Sequence, residues 1–461
     1  MEEMSVRRFV LASQSPRRRQ ILTISGYEFD ILPSQISEIP DENLNLTSQI
    51  RQLASDKAEA CLKMGKFAEG QGILVLASDT VVVFGGQILG KPKDEKEARS
   101  YLRRLSGQTH DVITAVSLRD VDTGRAAEDH AISKVKFREL SDEQIENYIA
   151  SGDPFDKAGG YGIQSALARN FVETFDGDYD TIVGLPMKTV EKAMGTLGVS
   201  ALKRNSAISE NLQNVRRKIK DARSRSRRFS ISSSESHDVE LVAVSKTKPL
   251  EDVFDAVCAG QKNFGENYIQ EALGKIDELN SILELAASLN PRHAETWARA
   301  SDIKWHFIGT LQSKKVKSVV GRFSLIHSVD RVSLVEEIQK RASEKNLIQS
   351  CLLQINIGDE ATKSGVSSGA FSELFEAARA CSHVRLCGVM ALPPLSEDES
   401  LSRRRFQEVR LIFESARASL PKEKQADFCH LSMGTTSDFE LAIEEGSTIV
   451  RVGTALFGAR A

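Results

Sequence analysis

Residues Ala201–Asp238 read ALKRNSAISENLQNVRRKIKDARSRSRRFSISSSESHD, and the change of character inside this stretch divides the chain. Ile208, Leu212, Val215 and Ile219 recur at three- and four-residue spacing, so they share one helix face that must pack on a folded unit. From Arg223 to Ser236 no apolar period survives. A tract of Arg and Ser buries too little surface to offset its ordering entropy, so 223–238 is expected to be a basic loop. Within it, Arg227-Arg-Phe-Ser230 places basic residues before a serine that could carry a phosphate.

The patterns on the two sides differ, and 461 residues exceed one ordinary core. Two domains are expected, 1–200 and 201–461, with residues 281–302 as an inserted surface loop. A net charge of -3 supplies no global field toward nucleic acid or membrane. The six cysteines form no C-x-x-C pair, and the eight histidines show no zinc-ligand spacing. These counts point to reduced thiols in a cytoplasmic protein. The N-terminal residues lack an apolar leader core, and no run of about 18 apolar residues occurs. No membrane partner and no specific nucleic-acid partner is expected.

In the first half, a short apolar strand at Phe9–Ala12 runs into Ser13-Gln-Ser-Pro-Arg-Arg-Arg19. Ser15 suits an N-cap and Pro16 the first helical position, so free helix N–H groups and three arginines meet at one point. That turn reads as a phosphate site, or as a capped helix with solvated arginines. Ile73–Phe84 is a β-branched run with Asp79 in its middle, and an acid buried there needs a partner. Gly90-Lys91-Pro92 turns a lysine back before a helix that starts near Asp94. Ser141 and Gln144 form a capping box ahead of another helix. Gly152–Gln164 then packs four glycines with a Lys, a Tyr and a Gln into one loop, a backbone shaped for close approach.

LASQSPRRRQIL, ASDTVVV, ILGKP, LSGQTHDVITAV, DPFDKAGGYGIQ and GDYDTIVGLP stand in order along this half, which thereby resembles the Maf family of nucleoside triphosphate pyrophosphatases. The resemblance implies a Maf/ITPase-like α/β domain. It also implies hydrolysis to monophosphate and pyrophosphate with a divalent cation, Mg or Mn. It assigns catalytic roles to Asp79, Glu38, Lys57 and Lys91, with Asp79 and Glu38 toward the metal. Ser13, Arg17, Thr80, Lys157 and Gln164 become substrate contacts. The loop sequence is similar to the branch acting on dTTP, UTP and modified pyrimidine nucleotides, and the family implies a homodimer through this half. An inactive scaffold is the alternative.

In the second half, eight short apolar runs alternate with amphipathic helical stretches: Leu241–Ser245, Lys262–Gly265, Trp305–Gly309, Leu325–Val329, Leu352–Ile357, Arg385–Met390, Phe428–Met433 and Ile449–Val452. This is the pattern of a (β/α)8 TIM barrel, whose chemistry lies at the strand ends. Lys246 follows the first strand on the same side as Val242 and Val244. Glu266, Asn267, His306, Asn356, Met390 and Arg451 stand at other strand ends. His306 also reads as a core residue. The Arg451–Gly458 loop places small residues where barrels bind phosphate. A lysine and a phosphate cup at one mouth fit pyridoxal 5'-phosphate.

LVAVSKTKP, KNFGENYIQEA, IKWHFIGTLQSKK, LSMGTTSDFELAI and EGSTIVRVGTALFGAR make this half similar to the pyridoxal phosphate homeostasis proteins, the YggS/PROSC family. The resemblance implies a barrel of the alanine racemase N-terminal type. Lys246 takes the place of the Schiff-base lysine and Arg451 that of the arginine facing the pyridine nitrogen. Thr436, Gly453 and Thr454 take the phosphate, and Asn267 and Met390 stand among the cofactor contacts. An arginine at the ring nitrogen weakens the cofactor as an electron sink. Thr310, Lys314, Thr435 and Thr436 depart from the usual residues. An amino acid racemase is the rival reading. It ordinarily requires a second base from a following β domain, and this sequence ends at Ala461, just past the eighth strand.

Overall fold

The computed structural model describes residues 5–34, 36, 43–226, 238–290, 302–357, 364–394 and 396–459. The chain divides into two compact units, Met1–Asn205 with Ile282–Ala294, and Ser206–Ser281 with Glu295–Ala461.

The first unit is built on a mixed sheet. Its strands are β1 (Ser5–Leu11), β2 (Phe29–Ile31), β3 (Ile73–Phe84), β4 (Gln87–Leu89), β5 (Thr109–Asp120), β6 (Ala126–Phe137), β7 (Val172–Asp176) and β8 (Val199–Ala201). The order is β2-β1-β3-β5-β6-β7, with β8 on β1 and β4 on β3. β1 runs parallel to β2, β3 and β8, whereas β3, β5, β6 and β7 are antiparallel in succession. Phe9 and Leu11 of β1 pack with Ile21, Leu22, Leu74 and Leu118, which fastens the helix Pro16–Ile24 across the sheet. Local signals start the helices as their sequences predict. The Asp94 carboxylate accepts the Glu97 N–H at 2.8 Å. Ser141 and Gln144 exchange side-chain and backbone hydrogen bonds in a capping box. Ser15 differs: it has extended backbone at the N-cap, but its side chain makes no cap hydrogen bond. Its own N–H donates instead to Ser13 Oγ at 3.2 Å.

The second unit is a closed parallel barrel. Its strands are β9 (Glu240–Val244), β10 (Asn263–Glu266), β11 (Lys304–Phe307), β12 (Leu325–Val329), β13 (Gln349–Asn356), β14 (Val366–Ser367), β15 (Val384–Ala391), β16 (His430–Ser432) and β17 (Ile449–Val452). The ring runs β12-β11-β10-β9-β17-β16-β15-β13, and β12 pairs with β13 to close it. β14 is appended to β13. Val242, Leu325, Leu352, Cys387, Met390 and Ile449 fill the interior. The helix Ile208–Arg225 buries Ile208, Leu212, Val215 and Ile219, the face its periodicity marks. It packs on the helices Leu250–Cys258, Phe439–Glu444 and Thr454–Phe457.

Two expected loops begin as helix. Arg223 and Arg225 complete the last turn of Ile208–Arg225. There Arg225 Nε meets Glu444 Oε1 at 2.7 Å and Ser226 Oγ donates to Glu444 O at 2.9 Å. Charge complementarity from another helix thus orders residues that carry no apolar period. Residues 227–237, with Ser230, lie outside the described residues. Similarly, the helix Ile269–Leu289 continues through the start of the 281–302 stretch because Ile282, Leu285 and Ala286 prolong its buried face. Residues 291–301 are outside the description. Among the described residues no helix is long and apolar enough to cross a membrane, and all six cysteines are free.

Gly388 shows how tightly β15 and β16 approach. Its φ is +147°, and a Cβ there would lie 1.8 Å from His430 O. Gly388→Ala is expected to destabilise the barrel by about 3 kcal/mol or more through strain and overpacking. Urea unfolding of the two proteins measures the difference, and an unchanged midpoint would contradict this packing.

Candidate functional site

In the first unit, the turn after β1, the centre of β3 and the glycine-rich loop converge. Asp79 sits in β3 at 6% exposure, and Lys57, from the helix Leu46–Gly65, is equally buried. Lys57 Nζ donates to Asp79 Oδ1, so the acid that the apolar strand could not bury alone has its partner. Beside them Arg18 reaches three groups: Ser13 Oγ at 3.1 Å, Thr80 Oγ1 at 3.4 Å and Gly184 O at 3.0 Å. Thr80 Oγ1 also lies 3.0 Å from Thr114 Oγ1, which places β3 and β5 side chains in one network.

The glycine-rich loop closes on this group. Gly159, at φ +68°, would bring a Cβ within 2.7 Å of Val82. Its N–H donates to Gly90 O at 2.9 Å, so the loop is pinned beside the turn carrying the exposed Lys91. A Cβ on Gly162 would meet Lys157 Cε at 2.7 Å and Arg17 Nη2 at 3.7 Å. Arg17 also stands 3.8 Å from Asp156. Lys157 turns inward, donating to Asp153 O and Oδ1, both at 2.7 Å, and to Asp156 Oδ1 at 2.5 Å. Its ammonium ties the loop together. Gln164 is half-buried at the loop's far end.

Ser13 and Thr80 meet at Arg18, which the residues alone mark only as added charge, while Lys57 pairs with Asp79 and Arg17 approaches the loop that Lys157 ties together. The signal for Arg18 was Gly184 in GDYDTIVGLP, whose carbonyl it holds, but nothing local links the two segments. Glu38 lies outside the described residues. Among those described, no group of three or more His, Cys, Asp or Glu is placed to hold a metal.

In the second unit, a cavity of about 480 Å³ opens at the C-terminal ends of the barrel strands. Its wall contains Lys246, Asn267, Met390, Thr436, Arg451, Gly453 and Thr454. Barrel closure carries these residues to one mouth from segments up to two hundred positions apart. Arg451 is buried, donating from Nη1 to Ser432 Oγ at 2.5 Å and from Nη2 to Ala391 O at 2.9 Å. Burial lowers its pKa to about 10, which leaves it a cation at neutral pH. Thr436 Oγ1 accepts the Gly453 N–H at 3.2 Å.

Other strand-end groups go elsewhere. His306 is 2% exposed and meets His327 in the barrel interior, not at the cavity. Alternation assigns a residue to the inside but does not say at which depth. Glu266 is fully buried, accepting from Ser245 Oγ at 2.7 Å and Lys275 Nζ at 2.8 Å. Burial raises its pKa. Lys248 was missed. It lines the cavity and donates to the carbonyls of Phe457, Gly458 and Ala459 at 2.8–3.1 Å, holding the last segment over the mouth. Its signal is the Lys246-Thr-Lys248 spacing of two.

The donor set fits pyridoxal 5'-phosphate. Lys246 offers an amine, Arg451 a guanidinium, and Thr436, Thr454 and Gly453 offer hydroxyls and an N–H. Asn267 Oδ1 is buried in the wall with no hydrogen-bond partner among the described residues. Such an orphaned acceptor is costly unless a ligand satisfies it. The volume is within the range of small-cofactor pockets.

Residues 8–197 match the model of Maf-like proteins, and residues 205–461 match the model of the alanine racemase N-terminal domain. A dTTP/UTP pyrophosphatase of Bdellovibrio bacteriovorus is 44% identical over 185 residues, 40% of this chain and 96% of that protein. A pyridoxal phosphate homeostasis protein of Aquifex aeolicus is 41% identical over 221 residues, 48% of this chain and 87% of that protein. A structure of PipY from Synechococcus elongatus with pyridoxal phosphate bound is 30% identical, covering 54% of this chain and 100% of that one, with a TM-score of 0.41.

The first site's rear wall carries a pH dependence. His110 lies 2.7 Å from the Tyr161 hydroxyl and edge-on to Phe137, and burial lowers its pKa to about 4. In the unfolded chain a histidine titrates near 6.5, so between about pH 6.5 and 4 the unfolded state binds a proton that the folded state refuses. Stability is therefore full above that window and falls as pH drops through it, by up to about 3 kcal/mol. Urea unfolding is expected to show this loss in the native protein and less of it in His110→Gln. Equal slopes in both would exclude the assignment.

Proposed function

The chain belongs to two families, the Maf-like proteins through residues 8–197 and the alanine racemase N-terminal domain proteins through residues 205–461, and on that premise we propose a bifunctional protein. Its first unit hydrolyses pyrimidine nucleoside triphosphates such as dTTP and UTP to monophosphate and pyrophosphate. Its second unit holds pyridoxal 5'-phosphate and serves the homeostasis of that cofactor.

For the first activity, the observation that carries the reading is the buried pair of Lys57 with Asp79 in the middle of β3, with Arg18 bonded to Ser13 and to Thr80, the residue next to Asp79. Asp79 takes a proton from water, whose oxygen attacks the α-phosphorus. The bond from that phosphorus to the β-bridging oxygen breaks, and pyrophosphate leaves. Lys57 keeps Asp79 oriented through its hydrogen bond to Oδ1. Arg17, Arg18 and Lys91 stabilise charge developing on the phosphates. Thr80 and Gln164 bear on the choice of base, and Lys157 holds the loop that carries Gln164. Asp79 and Glu38 would be the acids that hold a divalent cation, Mg or Mn, which would supply charge neutralisation on the triphosphate.

For the second role, the carrying observation is one cavity walled by both Lys246 and Arg451. Lys246 would hold the cofactor at its aldehyde group, Thr436, Gly453 and Thr454 would take its phosphate, and Asn267 and Met390 would border the ring. Bound pyridoxal phosphate supplies carbonyl chemistry toward amines and can act as an electron sink. Arg451 presents a cation where the ring nitrogen would sit. It therefore withholds the protonated ring that vigorous carbanion chemistry uses. We place the protein in the cytoplasm, where six free thiols persist, and expect the first unit to form homodimers.

Three outcomes are expected. Purified protein given dTTP or UTP with magnesium releases pyrophosphate, and chelation stops it. Asp79→Asn lowers kcat roughly 10²–10⁴-fold, the range of a lost general base. No pyrophosphate from any nucleoside triphosphate, with or without metal, would make the first unit a scaffold. Protein mixed with pyridoxal phosphate develops a visible absorbance band that Lys246→Ala lacks, with no interconversion of alanine enantiomers. Turnover of those enantiomers would instead establish a racemase.

A further inference from the structure

The barrel interior contains a line of polar groups that the cavity does not use. Arg451 Nη1 donates to Ser432 Oγ at 2.5 Å. Ser432 Oγ lies 3.1 Å from His327 Nδ1, and His327 Nε2 lies 2.9 Å from His306 Nδ1. His306 Nε2 stands 3.4 Å from Glu240 Oε1, and neither atom has a hydrogen-bond partner among the described residues. Ser432 and His327 are completely buried, and His306 nearly so. The five residues come from β17, β16, β12, β11 and β9. β9 is the strand that leads into the turn carrying Lys246.

The direction of this line follows from the donor inventory. A guanidinium only donates, so Ser432 Oγ accepts. The serine's own proton then goes to His327 Nδ1. His327 must carry its proton on Nε2, where it donates to His306 Nδ1. His306 in turn carries its proton on Nε2, facing the Glu240 carboxylate. In the opposite sense His306 Nε2 would accept from a protonated Glu240, whose pKa burial raises, and the serine proton would lack this acceptor, so the histidine tautomers distinguish the two senses. Burial holds the pKa of His306 down at about 3 and that of His327 well below the usual range, so both rings stay neutral links.

We infer that Ser432, His327 and His306 are positioning residues for Arg451, forming one directed hydrogen-bond chain, with its far end facing Glu240 at 3.4 Å, that fixes the guanidinium in the cavity wall and hence the charge it presents to a bound ring nitrogen. The chain gives a buried cation, whose direct acceptors are a hydroxyl and a carbonyl, a polarised path to a carboxylate across the barrel. Its consequence for the cofactor rests on the pyridoxal phosphate reading. The chain itself does not.

The test uses the full chain in two arms. In protein labelled with nitrogen-15 at histidine, before any cofactor is added, His306 and His327 are expected as neutral imidazoles protonated at Nε2. Ser432→Ala should shift the Nδ1 resonance of His327 and then that of His306. A proton on His327 Nδ1 would overturn the chain. In the second arm, pyridoxal 5'-phosphate is bound to the native protein, Ser432→Ala and Ser432→Thr. Loss of the hydroxyl should shift the visible band and speed cofactor release roughly tenfold, the effect of one unpaired buried donor. Threonine, which keeps the hydroxyl, should restore both relative to alanine. An alanine variant with native spectrum and release rate overturns the positioning role. Failure of the native protein to take up the cofactor would count against the cavity reading, and the tautomers would still decide the chain.

Discussion

Asp79 in β3 and Arg451 in β17 are polar groups set in apolar strands, and burying either is costly without a fixed partner. Each partner comes from a distant part of the same unit. Lys57 arrives on a helix packed over the sheet, while Ser432 and Ala391 arrive on the two strands next in the barrel. Taking away a partner leaves a buried charge, whose penalty of about 3–5 kcal/mol rivals a good part of a domain's stability. The requirement that these charges be matched therefore ties the position of the reactive groups to the integrity of the fold.

Backbone constraints complete the arrangement. In the first unit Gly159 lets the loop press on Val82 and bond to Gly90, so that Arg17, Lys157 and Gly162 come within a few ångströms of each other. In the second, the pairing of β12 with β13 closes the ring, and only a closed ring turns all the strand ends to one mouth. Lys248 then fastens the last segment across that mouth through three carbonyls. The cavity of the second unit is thus walled before any ligand binds, which spares binding part of its ordering entropy.

Much of this was readable from local pattern. The alternating apolar runs located the barrel strands to within a few residues, and β3, β12 and β17 match their predicted bounds. The capping box at Ser141 and the cap at Asp94 depend on neighbours three residues away, so the sequence displays both partners at once. The readings that failed depend on neighbours that a local window cannot contain. Arg223 and Arg225 looked like loop because Glu440 and Glu444, which order that turn, are more than two hundred positions away. Arg18 looked like surplus charge because Gly184 is remote. For His306 the core alternative is the one the structure bears out, since period two gives a side, inward or outward, and no depth.

By itself, then, the sequence determined the two-unit plan, the element types, the families and the identities of the chemical groups, since propensity, periodicity and motif are properties of short spans. Tertiary structure alone decided which groups meet. It paired Lys57 with Asp79, sealed Lys157 into its loop, set six side chains and Gly453 around one cavity, and drew Glu240, His306, His327 and Ser432 into line with Arg451. The reason is physical: hydrogen bonds and ion pairs act over about 3 Å, and only chain closure brings residues so far apart in sequence within that reach.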